Sequence, residues 1–375
     1  VKPSLLFSAT LLAALSTGAP AGLFSLFDPI EANEEDAVYF KTQAFIADDV
    51  VSIHDLFHKW HGRFHPKGGD NLALDDARGD IGMSKKGWGY VGYAYRHQAF
   101  TRASRDLALL TWQQLNHKDF TLGKEYDLDL AIKGYETDGI VFAKSLTLTD
   151  TATQRLTVGI GFSLLHGYNM QDGYLKGTAR AESRKEYSFQ AVSDYRYTRN
   201  YLYRLDVDDA DGDGFTTHLS LDYRYGRIRC HLLVNDLYGR ITWHDLPYSF
   251  VELNSDNKSY DDNGYIVYKP TVKGVELYRD YTQKLYKKVR LEAGYGWDEA
   301  TELHIGADNV RGEWFPYGGM HRRFGDDLAA GVSYDTRYGM VGVDIFYKTF
   351  SLTLKSNDIE DPWAMAFSFG YRYLF

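Results

Sequence analysis

The chain has 375 residues, with 51 acidic and 42 basic side chains and a net charge of −9. A mean hydropathy of −0.40 excludes a bundle of membrane helices, because each span needs about 20 mostly apolar residues. A single cysteine excludes a disulfide scaffold or a Cys-rich zinc module. Aromatic residues, at 15%, exclude disorder and are the unusual feature of an otherwise ordinary composition.

Val1–Ala21 places Lys2 ahead of an apolar run from Leu5 to Leu15, then small residues ending in Ala19-Pro20-Ala21. This pattern predicts a secretory signal peptide over residues 1–21 and one mature domain over 22–375. Removing that segment takes away one lysine and no acid, so the net charge goes from −9 to −10. An acidic exported chain carries no nucleic-acid footprint, and no nucleic-acid partner is expected.

Three regions lack a clean strand pattern: Gly22–Asp36, Val51–Arg78 and Arg102–Phe120. Each is a candidate plug, periplasmic helix or surface loop. Arg102–Phe120 has Leu107, Leu110 and Leu115 at roughly helical spacing. Within the second region stand His54, His58, His61 and His65. On a helix these steps would bring four imidazoles near one face, a candidate metal site. No cysteine or carboxylate at ligand spacing completes it, and a solvated loop explains the same residues.

Elsewhere the chain alternates. In Phe215–Tyr225, Phe215, Thr217, Leu219, Leu221, Tyr223 and Tyr225 share one face, and Thr216, His218, Ser220, Asp222 and Arg224 share the other. Ile228, Cys230, Leu232 and Val234 resume the alternation after Gly226, as in a hairpin. The same period recurs at 156–164, 187–197, 289–297, 303–307, 341–347 and 350–355. A soluble sandwich also alternates, but two features point to a membrane barrel. Aromatics such as Tyr223, Tyr225, Tyr295 and Trp297 end the apolar faces, where an interface girdle would lie. The opposite faces are too charged for a packed core. The expected fold is therefore all-β: an antiparallel transmembrane β-barrel of about 14–16 strands, with a short plug or helical loop. Met365, Phe367, Phe369, Tyr371, Tyr373 and Phe375 form a final aromatic stripe. Such a stripe resembles the signal that the outer-membrane assembly machinery reads, so that machinery and outer-membrane lipid are the expected partners, and the bacterial outer membrane the expected location.

Asp209, Asp211, Asp213 and Gly214 imitate the start of a calcium loop, but the twelfth position is Ser220, not Glu, which rejects an EF-hand. There is no G-x-S-x-G motif and no glycine-rich phosphate loop, so neither an enzyme nor a cofactor is expected.

The segments Leu156–Tyr168 and Asp211–Trp243, with Gly214-Phe215, Asn235-Asp236-Leu237 and Trp243, resemble the barrel repeat of the long-chain fatty-acid transporter superfamily and its TraF-like outer-membrane relatives. Where those transporters carry Asn-Pro-Ala in an N-terminal hatch, this chain has Asp28-Pro29-Ile30. The resemblance implies an outer-membrane channel or export-associated barrel and names no substrate.

The inward faces supply the candidate lumen lining: Lys41, Arg96, Arg196, Asp222, Arg224, Arg229, His231, Arg290, Glu292, His304, Asp344, Lys355 and Arg372. Mixed charge there can line an aqueous path, or pair across a closed interior. The expected function is passage of a small polar or amphipathic solute. The alternative is a structural or export-associated barrel with an envelope protein partner.

Overall fold

The computed structural model describes residues 22–33, 35–56, 58, 60–198, 210–255, 258–260, 266–268 and 271–375. The predicted signal peptide and Asp206–Asp209 lie outside the described residues.

In chain order the strands are β1 (Ala37–Asp48), β2 (Asp70–Lys85), β3 (Gly89–Ser104), β4 (Glu125–Asp150), β5 (Gln154–Ala181), β6 (Tyr187–Tyr197), β7 (Gly212–Tyr225), β8 (Ile228–Asn235), β9 (Gly239–Asn254), β10 (Lys258–Tyr260), β11 (Ile266–Tyr268), β12 (Val272–Lys284), β13 (Lys288–Gly296), β14 (Thr301–Val310), β15 (Glu313–Phe324), β16 (Leu328–Asp335), β17 (Val341–Tyr347), β18 (Phe350–Ser356) and β19 (Ala364–Leu374). Two helices interrupt them, α1 (Ile53–Leu56) and α2 (Arg105–Leu115). Seventeen strands form one antiparallel sheet. The aromatic terminal stripe on β19 pairs with β1, from Ala37 opposite Leu374 to Ala47 opposite Ala364, and this closes the sheet on itself. Closure removes the free edges that lipid could not satisfy.

Three crossings are each made of two strands end to end. β5 pairs with β7 along its first half and with β6 along its second. β8 and β9 in turn pair with β13 and β12. The barrel wall thus has fourteen passes, because β6–β7, β8–β9 and β12–β13 each count once. The break in β8–β9 falls at Asp236, whose φ of 54° lies in the left-handed region.

The first and last strands place both chain ends of the barrel at one end. The turns at this end are short, as at Gly226-Arg227 between β7 and β8. The other end carries the long connections, including α1 and α2. This asymmetry matches short periplasmic turns and longer extracellular loops.

The outer surface follows the sequence alternation. Ile160, Leu291, Ile305, Val332 and Val343 are exposed apolar residues, while their neighbours Gly159, Arg290, His304, Ser333 and Asp344 face inward. Trp297, Phe324, Tyr347 and Tyr373 ring the short-turn end, and Trp314, Tyr334 and Tyr238 sit toward the other. On β15, Trp314 and Phe324 are ten residues apart. At about 3.3 Å per residue and a tilt of about 40°, that separation spans roughly 25 Å, the height of an outer-membrane apolar band. The chain is a closed transmembrane β-barrel of the outer membrane.

Beyond that band β4, β5, β6, β9 and β12 continue upward as a tall wall. Helix α2 lies on it through Leu110, Phe120, Tyr126, Leu128, Ala179, Ala181 and Ala191. Ser104 caps the helix, its hydroxyl accepting from the Leu107 N–H at 3.2 Å; such a cap contributes about 1 kcal/mol. The helical reading of Arg102–Phe120 is thus realised as an extracellular helix. Val51–Arg78 divides differently. Its first part is an extracellular loop with α1, and from Asp70 onward it is strand β2, so it supplies no plug.

Candidate functional site

The lumen is occupied by the chain's own N-terminal segment. From β1, residues 33 back to 22 rise through the barrel, and Leu23, Phe24, Leu26, Phe27 and Ala32 are buried. The segment has almost no regular structure, only one 3-10 turn at Glu31–Asn33. Its backbone polar groups therefore need partners from the wall, and inward side chains supply them. Asp308 accepts from the Leu23 and Phe24 N–H groups at 2.7 and 3.2 Å. Gln43 accepts from the Leu26 N–H at 3.1 Å. The Asn235 amide accepts from the Phe27 N–H and donates to its carbonyl, both at 2.8 Å, as a neighbouring strand would. Arg290 donates to the Phe24 carbonyl at 2.9 Å. Ser25 bonds Asp76, which also pairs with Lys288.

Space for this plug comes from glycines on β5. A Cβ on Gly159 would stand 2.8–2.9 Å from Ile30, and one on Gly161 would stand 3.3 Å from the Phe27 ring. The Phe27 ring also meets Tyr90 and His218 at 5.5 and 5.4 Å, and the Arg78 guanidinium at 5.1 Å.

Most of the candidate lining residues lie in pairs, several of them with the plug, and Arg224 is exposed. Lys41 bonds Glu31 of the plug at 2.8 Å, His231 approaches Asp28 at 3.2 Å, and Arg372 donates to the Glu31 carbonyl at 3.3 Å. Arg290 holds Asp308 at 2.7 Å. Arg96 holds Asp236 at 2.6 Å and the Tyr135 hydroxyl at 2.9 Å. Glu292 accepts from the Tyr317 hydroxyl at 3.0 Å, and Asp344 from the Thr353 hydroxyl at 2.6 Å. Lys355 lies 5.6 Å from the Tyr317 ring, and the His304 and His321 rings are 4.9 Å apart. Arg196 stands near the extracellular mouth, about 5 Å from the rings of Tyr248 and Tyr281. Asp222 joins Arg224 and Arg229.

The plug contacts missed by sequence reading are Gln43, Asp76, Asn235, Lys288 and Asp308. Asp76, Arg78 and Asp80 repeat at a period of two, which would have marked β2 as a charged inner face.

The four histidines do not converge. Helix α1 ends at Leu56. The His54 and His58 rings stack at 4.1 Å, His61 bonds Asn116 at 2.8 Å, and His65 stacks on Trp363. Among the described residues no group of three or more His, Cys, Asp or Glu is placed to hold a metal ion.

Two further regions flank the plug. Toward the extracellular end, Leu23 and Phe24 pack into an apolar cluster with Phe45, Leu72, Leu74, Phe100, Phe315 and Met340. At the short-turn end is a cavity of about 560 Å3 bounded by the β7–β8 and β13–β14 turns and by β15–β17. In the β13–β14 turn the Ala300 and Thr301 N–H groups donate to Asp298 at 2.8 and 2.7 Å. The Ala300 bond leads in holding this carboxyl below its usual range.

No family model matches the chain, and no curated protein matches it in sequence. Several solved structures are similar in form. A deletion mutant of the TodX monoaromatic hydrocarbon channel shares 11% identity over 91% of each chain, with a TM-score of 0.43. The toluene transporter TbuX of Ralstonia pickettii shares 9% over 93% of this chain and 92% of its own, with a TM-score of 0.36. The outer-membrane protease OmpT of Escherichia coli shares 11% over 91% and 95%, with a TM-score of 0.23. These are likenesses of barrel form and decide nothing about the lumen.

Proposed function

We propose that the protein is an outer-membrane channel closed by its own N-terminal segment, passing a small polar or amphipathic solute when that segment moves. The observation that carries this reading is the position of residues 22–33 inside a closed barrel. A barrel serving only as a scaffold could fill its interior with wall side chains, as small barrels do. Here the wall instead leaves glycines at 159 and 161 and offers polar side chains to a separate segment. Hydrogen bonds to charged partners contribute about 1.5–3 kcal/mol each, and water can replace them, so the polar part of the segment's attachment is one that an aqueous path can exchange. The apolar cluster above and the charged band below would offer a solute both kinds of surface once the segment moves.

The test is conductance of the refolded chain in a planar bilayer, with and without residues 22–33. Wild type should be mostly closed, and the deletion should give frequent, larger openings. A deletion variant that folds and remains as silent as wild type would overturn the reading.

A further inference from the structure

The cavity at the short-turn end takes no part in holding the plug, and arginines outnumber carboxylates around it. Arg224, Arg227, Arg229, Arg322 and Arg323 line it, against the carboxylates of Asp298, Glu299 and Glu302. Asp298 is engaged by its own turn. Arg224 and Arg229 each give Asp222 only their Nε, at 3.0 and 2.6 Å. Arg227 donates to the Trp297 carbonyl at 3.1 Å, and Arg322 to the Thr301 hydroxyl at 3.2 Å. Among the described residues Arg227, Arg322 and Arg323 have no ion pair, and the terminal nitrogens of Arg224 and Arg229 have no hydrogen bond.

These arginines come from segments about a hundred residues apart, β7–β8 and β15, and the pairing of β8 with β13, β13 with β14 and β14 with β15 gathers them. Like charges gathered around one space repel. Guanidinium groups with unused donor forks match the oxygens of a phosphate. Arg224, Arg227, Arg322 and Arg323 are exposed, and what unites them with Arg229 is that all five border one concavity.

We propose that this cavity is a binding site for a phosphate group at the periplasmic mouth of the barrel. Two sources share that chemistry: a soluble phosphate ester, and the headgroup of an anionic phospholipid at the adjoining leaflet. The proposal does not depend on the plug acting as a gate.

The test is titration of the full refolded chain, in phosphate-free detergent, with inorganic phosphate by calorimetry. Saturable binding is expected, weakened at least about tenfold in the double variant Arg227→Ala/Arg323→Ala and weakened by added salt. The charge-preserving pair Arg227→Lys/Arg323→Lys should fall between, because it keeps the charge and loses the fork. Heat-modifiable mobility on gels confirms that each variant is folded. Repeating the titration in nanodiscs separates the sources. Loss of phosphate binding in phosphatidylglycerol but not in phosphatidylcholine assigns the site to an anionic lipid headgroup; retention in both assigns it to a soluble ester. No saturable binding by wild type, or equal binding by a folded double-alanine variant, overturns the proposal.

Discussion

The plug and helix α2 are both additions to the same barrel; both bury apolar side chains, and they differ in what their backbones bond to. Helix α2 sits on the tall extracellular wall through Leu110, Phe120, Tyr126 and Leu128, with its first turn capped by Ser104. The plug reaches Asp308, Gln43, Asn235 and Arg290 through backbone hydrogen bonds. Apolar burial resists water everywhere along a contact, whereas a hydrogen bond can be exchanged for one to water at small net cost. Helix α2 satisfies most of its own backbone, whereas the plug, although Leu23, Phe24, Leu26 and Phe27 are buried, depends on wall side chains for its backbone bonds.

Four substitutions sharpen or break that contrast. Asp308→Ala should act most strongly. It frees two plug N–H groups and leaves the buried Arg290 without its carboxylate, a loss of about 3–5 kcal/mol for a broken buried pair. Hydrogen exchange at Leu23 and Phe24 should quicken and bilayer openings become frequent; an unchanged plug would remove the contrast.

Phe120→Ala comes next, at about 3–5 kcal/mol for a buried phenylalanine. Its effect should stay in the extracellular region: faster proteolysis across residues 105–124, with conductance as in wild type. Conductance that rose with α2 loosened would mean that the two additions are coupled.

Gly159→Val should cost about 1–3 kcal/mol by crowding Ile30. The urea midpoint of the whole barrel should move little, while a fluorophore placed on the plug should report displacement. Ser104→Ala is the smallest, about 1 kcal/mol of helix stability, visible as faster exchange at Leu107 and silent in conductance.

Much of the barrel was legible locally. Residues Phe215–Tyr225 alternate in the chain and alternate in burial, because the two faces of a strand meet two different solvents. The Arg102–Phe120 helix was legible for a similar reason, since Leu107 and Leu110 mark one helical face. Strand β2 was obscured at its start by the His- and Gly-rich loop before it, although Asp76, Arg78 and Asp80 carry the inner-face period. The end-to-end strands were not legible, since β6 and β7 join through their shared pairings with β5 and β9.

The barrel class, the outward apolar face and the aromatic closing strand are written in the chain itself. All of these follow from a period of two within about ten residues. That Gly22–Asn33 fills the lumen, and which wall side chains hold it, depends on the folded barrel. Leu23 and Asp308 lie 285 positions apart, and no local pattern joins them. Their pairing comes from barrel closure, which brings distant inner faces around one axis and leaves the unsatisfied backbone of the tail to select its partners.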